Sequence, residues 1–175
     1  MKKRKISAAD YAGEIIKALS RGVLLTTKAG DKVNSMVIGW GAIGVNWGKP
    51  VFITYVRESR FTHELLDQNP EFTINVPIGD FDRKILAVCG AQSGCDLDKL
   101  AACGLTPVEP EVISVPGLKE FPLTLECRVI YRQDEDLSLF APEMREKWYP
   151  AEADGGRDFH ATYYGEIVDA YILEE

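Results

Sequence analysis

Apolar and polar residues alternate well between Leu123 and Tyr131, and this alternation is the feature that most constrains the fold. One face carries Leu123, Leu125, Cys127, Val129 and Tyr131, and the other carries Thr124, Glu126 and Arg128. A repeat of two residues is the repeat of a β-strand, not of a helix. The segment is therefore predicted to be a strand with one face in the core and the other in solvent.

Other segments predict more strands and several short helices. The strands are expected over residues 23–27, 33–45, 51–56 and 71–76, with an extended stretch over 107–115 and one or two strands over 159–173. Helices are expected over residues 7–19, 61–66, 81–88 and 96–102, with Ser7 as an N-cap and Gly22, Gly90 and Gly104 as stops. Because helices and strands do not alternate regularly, the pattern favours a mainly β antiparallel barrel with helical additions over a doubly wound parallel sheet.

Size and charge exclude several classes of protein. The 175 residues suit one domain, predicted to span residues 1–175. The net charge of -7 argues against a general binder of nucleic acid or of anionic membranes. No stretch approaches the roughly 18 apolar residues of a membrane span. The basic residues 2–5 are not followed by an apolar segment, so we expect a solvated terminus, no signal peptide and a cytoplasmic protein.

The cysteines do not predict a metal site. Cys89, Cys95, Cys103 and Cys127 form no CxxC pair, and the chain has two histidines. Five residues separate Cys89 from Cys95, which is not the spacing of a known redox motif. We therefore expect no metal and reduced thiols, with Cys103 and Cys127 buried as small apolar side chains.

Three polar, mostly glycine-containing segments lie where predicted strands or helices end: residues 34–41, 57–62 and 89–94. The second contains Arg57, Ser59, Arg60 and Thr62 within six residues. Guanidinium and hydroxyl groups donate to phosphate oxygens, and a following helix adds backbone N–H groups. The segment therefore predicts a phosphate-bearing cofactor; the alternative is a solvated turn with Ser59 or Thr62 as a helix cap.

The other two segments have structural explanations that do not need a nucleotide fold. Residues 39–44 fit the letters GxGxxG, but the following residues up to Pro50 cannot continue as a helix, so we predict a bent strand. Residues 89–94 predict a glycine turn between two helices, whose N–H groups and Ser93 hydroxyl can face a ligand.

Two further features concern the end of the chain. Residues 133–157 are charged and contain glycines, which predicts a long excursion or a lid. His160 lies near the start of the last predicted strand, and no serine or cysteine nucleophile motif accompanies it. Hydrolase chemistry is therefore not supported.

Taken together, the motifs resemble those of the flavin reductase-like, FMN-binding split-barrel family, most closely its flavoredoxin-type branch. The matching stretches are residues 34–41, 47–52, 56–62, 72–77, 89–90, 93–94, 98–99, His160 and 165–167. The resemblance implies a six-stranded antiparallel split barrel that binds FMN and forms a homodimer, in which the excursion over residues 133–157 is a candidate lid over the partner's flavin. One departure is Cys95, where the branch usually carries a basic residue.

The resemblance also implies roles for individual residues. It places Asn34, Ser35, Met36 and Val37 against the isoalloxazine ring, Arg57, Ser59, Arg60 and Thr62 around the phosphate, and Cys89, Ser93, Gly94 and Lys99 at the edge of the cofactor site. His160 matches a histidine near the open face of the flavin, so it is the candidate catalytic residue. Asn34 and Ser35 are the candidate donors to the pyrimidine side of the ring.

Three functions remain open at this point. The first is an oxidoreductase, an NAD(P)H-dependent flavin or FMN reductase with NADH or NADPH as electron donor. The second is a flavoredoxin-like electron carrier without a nicotinamide site, whose donor and acceptor are redox partner proteins. The third is a module that stores or senses flavin.

Overall fold

The main element of the fold is one antiparallel sheet of eight strands. The computed structural model describes residues 1–174. The strands are β1 (Lys2–Lys5), β2 (Val23–Ala29), β3 (Lys32–Ile38), β4 (Gly41–Asn46), β5 (Lys49–Arg57), β6 (Glu71–Val76), β7 (Pro107–Val108), β8 (Gly117–Leu118), β9 (Leu123–Asp134) and β10 (His160–Glu174). The helices are α1 (Ala12–Leu19), α2 (Phe61–Gln68), α3 (Lys84–Ala91), α4 (Lys99–Cys103) and α5 (Pro142–Trp148), with a 3-10 turn at Leu137–Leu139.

The strand order confirms the predicted mainly β, antiparallel class. The sheet runs β3-β2-β6-β9-β10-β5-β4, and β1 also pairs with β10, while β7 and β8 form a separate two-stranded sheet. The main sheet has eight strands instead of the six expected. The long strand β10 accounts for part of the difference, because its first half pairs with β5 and its last residues pair with β1.

The basic residues at the start of the chain form a paired strand that the sequence did not predict, although Lys2, Arg4 and Lys5 keep exposed side chains, as expected of a solvated segment. Lys2 pairs with Glu174 and Lys5 pairs with Tyr171. The side-chain ammonium group of Lys3 lies 2.7 Å from a carboxylate oxygen of Glu111. Local sequence gives no strand signal here, because the pairing edge is supplied by residues at the far end of the chain.

Strand β9 is buried on both faces over its first half, which corrects the prediction of a half-exposed strand. Glu126, placed by the alternation on the solvent face, is 0% exposed. Its carboxylate accepts hydrogen bonds from the backbone N–H groups of Glu111, Val112 and Ile113 at 2.6, 2.8 and 3.2 Å. The segment before β8 covers this face and satisfies the buried charge, as burial of a carboxylate requires.

Apolar side chains form two clusters on opposite faces of β2. Leu25 packs in the larger cluster with Ile15 of α1, and Leu24 packs in the smaller cluster with Ile85 of α3 and Leu100 of α4. Successive strand residues point to opposite faces, so one strand serves both clusters. This arrangement holds α3 and α4 against the sheet beside β3, which positions the turn between them next to the candidate site.

Helix ends differ from the prediction at several places. Helix α1 begins at Ala12, because the carbonyl of Ser7 accepts the N–H of Asp10 in a preceding turn and Ser7 does not cap the helix. Helix α3 runs from Lys84 through Gly90, which was expected to stop it. Helix α4 begins at Lys99 and ends, as predicted, at Gly104 in the left-handed conformation.

Two predicted extended segments are shorter or divided. The stretch over residues 33–45 is two strands, β3 and β4, separated at Gly39 and Trp40. Residues 39–44 therefore contain no helix, in agreement with the rejection of a dinucleotide fingerprint. Of residues 107–115, only Pro107–Val108 is a strand. Within residues 1–174, no helix has the length and apolar character needed to cross a membrane.

Candidate functional site

A cavity of about 330 Å³ lies between β3, the start of α2, the turn from α3 to α4, and the start of β10. Twelve of the thirteen predicted site residues line it: Asn34, Met36, Val37, Arg57, Ser59, Arg60, Thr62, Cys89, Ser93, Gly94, Lys99 and His160. The volume is within the range of ordinary small-molecule sites. Segments far apart in sequence thus converge on one cavity.

Ser35 is the predicted site residue that does not line the cavity. Its hydroxyl shares a hydrogen bond of 2.8 Å with the hydroxyl of Thr26, and both side chains are buried. Ser35 follows Asn34 on a strand, where neighbouring side chains point to opposite faces. The expectation that the Ser35 hydroxyl faces the cofactor was therefore wrong, although its carbonyl still contributes by accepting a hydrogen bond from Lys99.

Asn34 lines the cavity and carries a buried acceptor that has no partner in the described part of the chain. Its side-chain nitrogen donates to Oγ1 of Thr62 at 2.9 Å, while its buried Oδ1 has no partner among residues 1–174. A Cβ on Gly94 would lie 2.8 Å from Cγ of Asn34 and 2.9 Å from the ring of Phe61. A buried acceptor without a donor is costly.

The start of α2 combines a helix N-terminus with a free cation. Arg60 is the N-cap residue, and no side chain caps the helix. The Arg60 guanidinium has no hydrogen-bond or ion-pair partner in the described part of the chain. The hydroxyl of Thr62 accepts a hydrogen bond from Asn34 and keeps its own proton to donate. Uncapped N–H groups beside a cation are suited to binding an anion.

Arg57 and Ser59, which were predicted at the phosphate, are held by the segment that precedes β10. Arg57 donates to the carbonyls of Asp158 at 2.5 Å and of Trp148 at 3.0 Å. Ser59 donates its N–H and its hydroxyl to the Asp158 carboxylate at 3.1 and 2.8 Å. The segment predicted as a lid over a partner's flavin therefore packs against the cavity of its own chain.

Lys99 is a buried cation that joins two walls of the site. It is 5% exposed, and its ammonium group donates to the carbonyls of Ser35 and Cys89, each at 3.1 Å. Burial lowers the pKa of Lys99, and the positive charge of Arg60 lowers it further. An ammonium group has three protons, so one remains for a ligand.

His160 is held by a tyrosine and a carboxylate. Its Nδ1 lies 2.8 Å from the hydroxyl oxygen of Tyr149 and 3.8 Å from Oε2 of Glu135. Burial, with a smaller effect of the Arg57 charge, lowers the pKa of His160 to about 4. Burial and the bond to Glu135 raise the pKa of Tyr149. At neutral pH the imidazole is therefore uncharged.

Aromatic residues that the sequence did not single out complete the walls. The Trp40 ring lies 4.9 Å from that of Trp148, edge to face, and 5.3 Å from that of His160. Trp40, Trp148 and Tyr55 also line a second, largely apolar cavity of about 640 Å³. Trp40 stood between two glycines in a segment already noted, whereas Trp148 lies in a charged stretch without a periodic signal.

The described cysteines are free thiols, and the described residues offer no cluster of three or more His, Cys, Asp or Glu for a metal. Sγ of Cys89 lies 3.9 Å from Sγ of Cys103. Burial raises the pKa of Cys89 to about 12, and Cys127 is fully buried as predicted. Cys103 is only partly buried, and Cys95 is exposed.

Comparisons with known proteins agree on one family. A family model described as a flavin reductase like domain matches residues 17–175. Flavoredoxin of Desulfovibrio vulgaris (Miyazaki F) is similar in structure, with a TM-score of 0.66 and 25% identity over 87% of this chain and 69% of that one. Flavoredoxin from Methanosarcina acetivorans has a TM-score of 0.65 and 28% identity over 87% and 68% of the two chains.

A sequence relative is an uncharacterized protein of Archaeoglobus fulgidus, 30% identical over 115 residues. The alignment covers 65% of this chain and 64% of that relative, which is less than two thirds of its length.

Proposed function

Because this chain belongs to the flavin reductase-like family, we propose that it binds FMN and transfers electrons as an NAD(P)H-dependent flavin or FMN reductase. The observation that carries the proposal is the unpaired guanidinium of Arg60 at the uncapped start of α2, on the wall of the 330 Å³ cavity. A phosphate is the anion that such an arrangement fits.

The residues of the cavity fit the other parts of FMN as well. When bound, FMN would supply the redox chemistry, and the protein would supply binding, orientation and electrostatics. Arg60, Thr62 and the remaining proton of Lys99 are the proposed donors to the phosphate. Asn34 and Met36, which line the cavity, are proposed to lie beside the flavin ring.

The opposite wall is proposed to receive the electron donor. His160 and Trp40 lie together there, and His160 is neutral at physiological pH. An uncharged imidazole can hydrogen-bond a polar group of nicotinamide without adding charge beside the flavin. Trp40 and Trp148 supply apolar surface at this wall.

The test is to purify the protein with FMN, remove oxygen and add NADH and NADPH in separate experiments. We expect the absorbance of bound flavin to bleach with at least one nucleotide. A protein that binds FMN but is not bleached by either nucleotide would contradict the nicotinamide-dependent activity while leaving FMN binding intact.

A second candidate function is a flavoredoxin-like electron carrier, which is favoured by the two flavoredoxins among the similar structures. In that case, the bound FMN would be reduced by a redox protein and not by a nicotinamide nucleotide. Chemical reduction with dithionite followed by rapid transfer to an electron-accepting protein would support it. A protein that binds FMN and exchanges electrons with neither donor would instead be a flavin storage or sensing module.

We also propose that the protein is a homodimer. Trp47 is 58% exposed, Tyr131 is 42% exposed, and their rings pack with Tyr164 in a surface aromatic cluster. Large aromatic side chains at a surface favour protein–protein contact. Light scattering should give the mass of a dimer, and Trp47→Glu should shift it toward the monomer; a monomeric wild-type protein would contradict the proposal.

A further inference from the structure

The hydroxyl of Tyr149 lies between a carboxylate and an imidazole. Its oxygen is 2.5 Å from Oε2 of Glu135 and 2.8 Å from Nδ1 of His160. The backbone N–H of Glu135 also donates to the carbonyl of His160 at 3.0 Å, so the backbones of these two residues are held together. Glu135 and Tyr149 lie within the segment between β9 and β10, outside the three polar segments that predicted the cofactor site.

The proton count of this arrangement determines which nitrogen of His160 is protonated. An ionised carboxylate only accepts hydrogen bonds, and a tyrosine hydroxyl has one proton. When that proton is donated to Glu135, the Tyr149 oxygen can only accept at its other contact. Nδ1 of His160 must then be the protonated nitrogen, and Nε2 must carry the lone pair.

Nε2 is the nitrogen that remains for a bound molecule. His160 lines the cavity, and no residue of the described chain hydrogen-bonds its Nε2. The low pKa of the buried imidazole keeps it neutral, so the second nitrogen does not gain a proton at physiological pH. A phosphate or carboxylate has no proton to offer such a nitrogen, whereas an N–H or O–H group has one.

We propose that Glu135 and Tyr149 are positioning residues that hold His160 in the Nδ1–H tautomer, so that Nε2 accepts a hydrogen bond from an uncharged N–H or O–H donor bound in the cavity. A carboxamide is one such donor. The tautomer is a property of the protein, and only the presence of a ligand at Nε2 rests on the proposed function.

Nitrogen NMR of protein labelled with 15N-histidine tests the proposal directly. The chain has two histidines, and the variant His63→Gln assigns the signals of His160. At neutral pH we expect Nδ1 of His160 to resonate as a protonated nitrogen and Nε2 as an unprotonated one, with and without added FMN. A wild-type spectrum with Nε2 protonated overturns the proposal. Failure to bind FMN would contradict only the proposed function.

Two variants separate positioning from general structural support. In Glu135→Ala, the Tyr149 hydroxyl is free to donate to Nδ1, so His160 should convert from mainly Nδ1–H to mainly Nε2–H. In Tyr149→Phe, the ring remains but Nδ1 loses its partner, and the Nδ1–H form should lose its dominance. The matched control is Asp134→Ala, which removes the neighbouring acid and should leave the tautomer unchanged. A folded Glu135→Ala variant with the wild-type tautomer would also overturn the proposal.

Discussion

The carboxylate of Asp158 accepts both the backbone N–H and the hydroxyl of Ser59, at 3.1 and 2.8 Å. An acidic side chain therefore sits at the segment from which the sequence predicted phosphate binding. It also lies 3.7 Å from the guanidinium of Arg57. A negative charge so close to the proposed anion site opposes the binding of a phosphate while it holds the neighbouring donors in place.

Replacing this charge should strengthen FMN binding. Asp158→Asn keeps an acceptor for Ser59 and leaves the backbone contact to Arg57 intact. Removal of one like charge near the anion is worth about 1 kcal/mol in a water-like environment, or about a fivefold lower Kd. The Kd for FMN of each protein can be measured by titration of FMN fluorescence. The difference in Kd between wild type and Asp158→Asn should shrink at high salt. Weaker binding by the variant would show that the carboxylate acts mainly by ordering the site.

Gly94→Ala should destabilise the protein and disturb the cavity wall. The added Cβ would lie within 3.0 Å of both Asn34 and Phe61, so the bond between Asn34 and Thr62 would have to shift. Overpacking of this kind costs about 1–3 kcal/mol of unfolding free energy, which urea unfolding can measure. Gly44→Ala is the control, because a Cβ there meets nothing within 4 Å. Equal unfolding free energies for Gly94→Ala and Gly44→Ala would contradict the prediction.

The four thiols should differ in reactivity. Cys95 is exposed, whereas Cys89 is 1% exposed and has its pKa raised to about 12 by burial. Because the thiolate is the reacting form, a maleimide at neutral pH should label Cys95 first and Cys89 much more slowly. Mass spectrometry of digested samples reads the order. Cys95→Ser should remove the fast phase, and its persistence would mean that another thiol is accessible.

His160 should contribute to a pH dependence of stability. Its folded pKa, about 4, is below the value of an unfolded histidine, about 6.5. The unfolded chain therefore takes up the proton first as pH falls. This contribution is fully present above about pH 6.5 and is lost between about pH 6.5 and 4.

Urea unfolding of wild type and His160→Gln across that window isolates the effect of one group. The wild-type protein should lose more unfolding free energy on acidification than the variant does. If the unfolding free energies of the two proteins fall equally with pH, His160 has the same pKa in the folded and unfolded states.

Local sequence was sufficient where the site is built from neighbouring residues. Arg60 and Thr62 lie in one short segment at a helix start, so local sequence was enough to place them together at the cavity wall, while phosphate binding by them stays a prediction. The antiparallel, mainly β class followed from alternation and from the order of the elements. Both features leave a signal in adjacent residues, although the sheet itself is held by pairings between distant strands.

Long-range contacts explain what the sequence could not predict. Glu126 is buried because a separate segment supplies three N–H donors to it, and Ser59 is engaged because Asp158 folds back onto it. Tyr149 also makes its contact through the fold, because it hydrogen-bonds His160 from a charged stretch that has no periodic signal. The prediction for Ser35 was wrong for a local reason. Side chains alternate along a strand, so the side chain next to Asn34 points away from the cavity.

The most direct test of a phosphate site at the start of α2 compares the binding of FMN with that of riboflavin, which lacks the phosphate. The proteins are wild type, Arg60→Ala and the control Arg83→Ala. A charge-assisted phosphate contact is worth about 2–3 kcal/mol. Calorimetry should therefore show that wild type and Arg83→Ala prefer FMN, and that Arg60→Ala loses this amount of FMN affinity with little change toward riboflavin. Equal affinity of the wild-type protein for the two flavins, or no effect of Arg60→Ala, would contradict a phosphate site at the start of α2.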